Sequence, residues 1–243
     1  MSRWRAFAIH LAISLLIIGG LAFGLFYLWY PPHLLGFAKA DTLFGLVAGI
    51  DIIVGPLLTL IVFKAGKKSL RFDLAVIALL QLLFLGGGLW TVWTSRPVFI
   101  VAAIDRYELV FANEVDAADL AKATLPQFQR LPMFGPVLVG LRKAEGQEEF
   151  FEALEGGPTS RRPQFYVELP AAAREVLARA RTPGELQAFD SFFNPDRIER
   201  VAEALSASPE ARLVPFMSVR GDMLLELDPE TGLPRRYIDP SHP

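Results

Sequence analysis

Cysteine is missing from all 243 residues, which excludes disulfides and thiolate metal sites and leaves any globular part to stabilise itself by packing alone. Histidine is scarce: His10, His33 and His242 stand far apart in the chain, so no histidine-based metal site or catalytic triad is indicated. Neither a phosphate-binding G-x-x-x-x-G-K-[ST] nor a dinucleotide G-x-G-x-x-G nor a nucleophile-elbow G-x-S-x-G occurs. Internal repeats and low-complexity stretches are absent as well. No cofactor is implied, and no enzyme class has a motif to stand on.

What the chain has in excess is apolar surface. Hydrophobic residues make up 52% of the sequence and the mean hydropathy is +0.35, too high for one uniform soluble body. The excess sits in three runs, 6–29, 42–63 and 74–94, each of about 20 residues, the length that crosses a hydrocarbon core about 30 Å thick. The first run is too long for a cleaved signal peptide, lacks a small-residue cleavage site and ends in "FYLWYPP". Tyr27, Trp29 and Tyr30 there suit an interfacial aromatic belt, so the run reads as a retained anchor.

Charge divides at the same place. Residues 1–94 hold seven Lys/Arg against three Asp/Glu, and residues 95–243 hold seventeen against twenty-three. The formal net charge of −2 therefore combines a basic membrane part with an acidic soluble part, and the latter has no electrostatic footprint for nucleic acid. Arg3 and Arg5 precede the first run, and "KAGKKSLR" joins the second to the third, whereas "PPHLLGFAKAD" carries only Lys39. Basic loops stay cytoplasmic. The expected organisation is a three-helix transmembrane region, 1–94, with a cytoplasmic N-terminus, then an α+β domain, 95–243, on the outer face, which in a Gram-negative bacterium is the periplasm.

Within the outer part, "VFIVAAI" (98–104) and "YELVFANEV" (107–115) read as two strands joined at Asp105-Arg106. Three prolines make "TLPQFQRLPMFGP" irregular. Helices are expected at "DAADLAKA", at "QEEFFEALEGG" with Phe150, Phe151 and Leu154 on one side and a stop at Gly156-Gly157, at "PAAAREVLARAR", at "TPGELQAF" capped by Thr182, and at "NPDRIERVAEALSA" capped by Asn194. The carboxylates of "EGQEEFFEALE" read as a solvated helix face. The tail reads as strands turning at Arg220-Gly221-Asp222 and at Pro229 to Gly232. Strands at both ends with helices between them imply one small sheet.

One residue is out of place. Asp51 lies near the centre of the second run, where an ionised carboxylate costs roughly 2.5 to 3.5 kcal/mol to insert. It marks either an interaction site or an internal hydrogen-bonded cluster, for which Ser14 and Gln81 lie at a depth similar to each other and about a turn from Asp51. Gly55-Pro56, just beyond, frees backbone carbonyls around residue 52 and predicts a kink. Gly45 and Gly49, like Gly20 and Gly24, are small-xxx-small pairs suited to close helix packing, internal or with a foreign helix.

The stretches "GIDIIVGPLLTLIVFK" (with Asp51, Gly55, Pro56 and Thr59), "RFDLAVIALLQLLFLGGGLWTVWTSRPVFIVAAIDRYELVFANEV" (with Gln81, Arg96, Asp105 and Arg106) and "LPMFGP" together resemble the type IV pilin accessory proteins of the TfpX/TfpZ kind. The resemblance spans most of residues 1–136; beyond 140 it is carried in outline by "DPETG". It implies a non-catalytic protein of the bacterial inner membrane that helps a cognate major type IV pilin to be assembled, stabilised or presented. Its partners are then the pilin's transmembrane helix and head, together with membrane lipid; self-association is left open. Asp51, Gly45, Gly49, Gly55, Pro56 and Gln81 become candidates for the pilin contact, with Asp51 facing a cationic group such as the amino terminus of a mature pilin. Arg96, Asp105 and Arg106 become candidates for positioning the outer domain. Two other readings stand beside this one: a membrane-anchored sensor of a small ligand, and a membrane enzyme using Asp51 or Asp105 as an acid or base.

Overall fold

The computed structural model describes residues 2–155 and 157–239, and the chain divides into two compact units, Met1–Arg96 and Pro97–Pro243. In the first unit, α1 (Arg3–Gly24) starts on Ser2, whose hydroxyl accepts from the Arg5 N–H at 3.3 Å, and runs on through a π-helical turn, Leu25–Trp29. The second long helix is built from α2 (Ala40–Gly49), a π-helical turn (Ile50–Val54) and α3 (Gly55–Val62). The third is α4 (Leu70–Thr94). All three, Arg3–Trp29, Ala40–Val62 and Leu70–Thr94, are long and apolar enough to cross a membrane. The chain is a membrane protein.

Most large apolar side chains of this unit point away from it, as a bilayer solvent requires. Tyr27 and Trp90 are exposed in the manner of belt residues. Tyr30 departs from the expected belt: it is fully buried, and its hydroxyl donates to the Val92 carbonyl at 3.1 Å. Beside it the Trp29 and Trp93 rings meet edge to face at 4.8 Å. A phenol hydroxyl deep in an apolar bundle needs a partner, and the last turn of α4 supplies one.

The second unit is a mixed sheet flanked by helices. Its strands are β1 (Pro97–Ala103), β2 (Arg106–Phe111), β3 (Val137–Leu141), β4 (Tyr166–Val167), β5 (Arg212–Ser218), β6 (Gly221–Leu227) and β7 (Pro234–Ile238), in the order β4-β3-β1-β2-β5-β6-β7. Two of the pairings, β1 with β3 and β2 with β5, are parallel; the rest are antiparallel. The sheet is larger than the small one expected, because β3 and β4 joined it from stretches where no strand was anticipated. Every residue of β1 is buried, which fits a central strand covered on both faces and explains its unbroken run of apolar residues.

Between the strands lie α5 (Ala117–Ala121), α6 (Gly146–Glu155), α7 (Leu169–Leu177) and α8 (Pro195–Ala204). The caps follow the sequence: Asp116 accepts from Ala118 N–H and Asn194 from Asp196 N–H. Thr182 forms a capping box with Glu185, but the helix it opens, Pro183–Phe189, is 3-10. Among the described residues, two apolar clusters lie in this unit. One joins β1, β3 and β4 to Phe128 through residues such as Phe99, Val139 and Tyr166; the other joins β5, β6 and β7 to α8 through Leu213, Leu224, Ile198 and Val201. The turn expected at Arg220-Gly221-Asp222 falls one residue earlier, since Gly221 pairs with Ser218 and Asp222 with Met217 inside the β5–β6 ladder.

Candidate functional site

The second membrane helix changes register at its centre. Between Ile50 and Val54 the winding is π, and in that register the N–H of residue i+5 serves the carbonyl of residue i. The Asp51 carbonyl therefore falls to position 56, where proline has no N–H to give. Gln81 of α4 fills the deficit: its side-chain amide donates to the Asp51 backbone oxygen and to the Asp51 carboxylate Oδ1, both at 3.3 Å. Gly55 makes the approach feasible, because a methyl group added there would overlap the Gln81 amide. The expected break is thus taken up as a π turn closed from a neighbouring helix.

Asp51 is only 5% exposed, so the carboxylate belongs to this internal cluster. Ser14 is buried too, though among the described residues its side chain makes no hydrogen bond to Asp51. A polar pair missed by sequence reasoning lies nearby: His10 Nδ1 and Thr59 Oγ1 stand 2.6 Å apart. They line a cavity of about 270 Å³ together with Gln81, Ile13, Phe63 and Ile77. The signal for His10 was available, since an ionisable side chain inside an apolar run invites the same question as Asp51.

Towards the end of the bundle that carries Trp29 and Thr94, α1 and α4 leave an apolar groove of about 380 Å³. Gly20, Gly24 and Gly86 line it, with Leu25, Trp90 and Trp93 among its larger side chains. A Cβ built at Gly20, Gly24, Gly45 or Gly49 meets nothing within 4 Å. None of these four small residues is consumed by packing inside the bundle, whereas Gly88 is: a Cβ there would run into Val47. The bundle has kept two smooth, unfilled helix surfaces.

The remaining candidates fall in different units, Arg96 in the first and Asp105 with Arg106 in the second. Arg96 is buried at the end of the first unit, stacked on the Trp93 ring with its guanidinium 3.7 Å from the centroid and Nη1 donating to the Trp93 carbonyl at 2.8 Å; burial holds its pKa below the usual arginine value. Asp105 lies nine residues further on, past β1, in the β1–β2 turn. Arg106 opens β2 and pairs with Glu108 at 2.8 Å and more loosely with Asp105 at 3.8 Å. Ile104, between the strands, has φ +53°, a strained value for a β-branched residue.

A second correction concerns α6. Glu148 and Glu155 are solvated as expected, but Glu149 and Glu152 are turned inward and paired. Glu149 takes both Arg142 guanidinium nitrogens, at 2.6 and 2.8 Å, and Glu152 accepts from Lys122 at 2.9 Å, Arg162 at 2.8 Å and Gln164 at 3.1 Å. Arg162, expected in a polar turn, is buried and also donates to the Glu152 carbonyl at 2.7 Å. Phe150, Phe151 and Leu154 point outward instead. Gly157 has the positive φ of a helix stop; Gly156 lies outside the described residues, as does His242. Among the described residues no group of three or more His, Asp or Glu side chains is arranged to hold a metal ion.

Comparison with known proteins gives three relatives, all from Dichelobacter nodosus. A fimbrial assembly protein of serogroup I is 30% identical over 179 residues, covering 71% of this chain and 69% of the relative. A fimbrial assembly protein of serogroup E1 is 29% identical over 222 residues, covering 87% of this chain and 85% of the relative. A fimbrial assembly protein of serogroups C1 and C2 is 32% identical over 117 residues, covering 47% and 89% respectively. No family model matches the chain, and no solved structure does.

Proposed function

Because the chain belongs to the family of fimbrial assembly proteins, we propose that it serves type IV pilus assembly as a non-enzymatic, chaperone-like holder of its cognate major pilin, in the manner of the TfpX/TfpZ accessory proteins. In this reading it sits in the bacterial inner membrane with its N-terminus in the cytoplasm and residues 97–243 in the periplasm. An unassembled pilin is itself held in the membrane by an apolar N-terminal helix, and a protein that stabilises it has to accept that helix within the bilayer. The observation that carries the reading is the apolar groove between α1 and α4, lined by Gly20, Gly24 and Gly86 and left unfilled by the bundle. Small residues let helix backbones approach closely, and close packing is what associates helices in lipid, where no hydrophobic gain is available.

Gly45 and Gly49 offer a second smooth surface of the same kind. Asp51, Gln81, Gly55 and Pro56 set the shape of the helix that presents it, rather than offering the carboxylate to a guest's amino terminus. Arg96, clamped on Trp93, fixes the point where the chain leaves the membrane, and Asp105 and Arg106 shape the first hairpin beyond it. Lipid covers the remaining apolar surface.

The test is photo-crosslinking in native membranes from probes at Gly24 and Gly86, with the pilin gene present or deleted. Pilin adducts from both positions are expected. Gly20→Leu with Gly24→Leu should remove them without lowering the thermal midpoint, since a Cβ at either position meets nothing within 4 Å. Crosslinks to lipid alone, with normal pili in a strain lacking this protein, would overturn the reading.

A further inference from the structure

The helix α6 is mounted the wrong way round for a soluble domain. It has no buried residue, and its hold on the rest of the unit is polar: Glu149 on Arg142, and Glu152 on Arg162, Lys122 and Gln164. The opposite side exposes Phe150, Phe151 and Leu154 at 54, 58 and 65%. The two rings stand edge to face at 6.0 Å, so they form one patch. Its exposed area is on the order of 300 Å², the size at which apolar patches on monomers tend to be binding sites. A helix of this composition has the option of rolling its apolar side inward. Four polar side chains from elsewhere in the unit are spent on preventing that.

Charge identifies the class of occupant. The exposed charged side chains flanking the patch on α6 are Glu148 and Glu155, with Glu145 just before the helix. The nearby cations are already engaged, Lys143 with Glu175 at 3.4 Å and Lys122 with Glu152, and the soluble part as a whole is acidic. An acidic rim repels an anionic lipid surface, which favours basic segments. It complements an apolar protein surface bordered by Lys or Arg.

We infer that α6 is a docking helix for a folded protein partner that presents an apolar patch with a basic rim, and that the partner is the globular head of the fimbrial subunit. The second clause rests on the function proposed above. The helix contact in the membrane and the head contact outside it are then two separate handles on one client, and linked handles raise the effective concentration of each other.

The experiment uses the full-length protein in phosphatidylcholine nanodiscs and, as probe, the soluble head of the major fimbrial subunit from the same organism, without its apolar helix. Binding to the intact protein is expected, weakening as salt rises. Phe150→Ser with Phe151→Ser and Leu154→Ser should weaken it at least tenfold, and Glu148→Lys with Glu155→Lys should weaken it separately while leaving the apolar patch in place. Both variants alter only outward side chains, and an unchanged circular dichroism spectrum checks the fold. Equal head binding by the triple-serine variant overturns the inference. So does a variant whose only loss is binding to vesicles containing phosphatidylglycerol. Head binding by neither protein, with full-length subunit still crosslinked in the groove, overturns the docking helix and leaves the groove reading intact; loss of both overturns both.

Discussion

Gln81 serves a carbonyl that the chain's own backbone cannot serve. Gln81→Ala strands the Asp51 carbonyl in an apolar setting and should cost about 1–2 kcal/mol, read as a lowered thermal midpoint of the full-length protein in detergent. Gly55→Ala drives a methyl group into the same amide. Its cost in the wild type should shrink when Gln81 is already alanine, so a double-mutant cycle should show strong coupling. Additive costs would mean that the two residues act separately. Ile104 is the opposite case, a residue held at φ +53° without an evident packing reward. Asparagine tolerates that conformation, so Ile104→Asn should stabilise the protein by about 1 kcal/mol in chemical unfolding.

At the scale of elements, α6 depends on carboxylates that stay ionised. Arg142 and the Glu145 N–H hold Glu149 well below its ordinary value, down to about 2. A carboxyl depressed in the folded state contributes stability that is full above about pH 4.5 and fades as pH falls toward 2. Backbone amides of 146–155, corrected for intrinsic exchange rates, should therefore lose protection across that window. Glu149→Gln should lose part of the protection already at pH 7 and show little further change in acid. The sequence pattern of α6 was legible as amphipathic, but which face turned inward was not. Periodicity separates two faces; the direction is set by Arg142 and Arg162, which come from β3's end and a later turn. The strands β3 and β4 were illegible for a related reason. "VLVGL" is five residues after a proline-rich stretch, and its partner in the parallel pairing, β1, lies more than thirty residues earlier.

At the scale of the whole molecule, the prediction concerns topology. The natural absence of cysteine makes single introduced cysteines clean reporters. Ser208→Cys should react with a membrane-impermeant maleimide in cells with a permeabilised outer membrane. Ser69→Cys, in the basic loop before α4, should react only after the inner membrane is broken. The reverse pattern would invert the proposed orientation.

The three membrane helices, the helix caps and the β1–β2 hairpin were all written locally, because a bilayer or a cap reads about twenty residues or fewer at a time. Tertiary structure alone decided that Tyr30 is buried rather than at the interface, that Asp51 is satisfied by Gln81, that four glycines face open space and that α6 shows its aromatic side to solvent. Tyr30 and Asp51 depend on groups thirty or more residues away, the glycines on where neighbouring helices leave a gap, and α6 on arginines outside the helix, and no helical or strand periodicity carries that information.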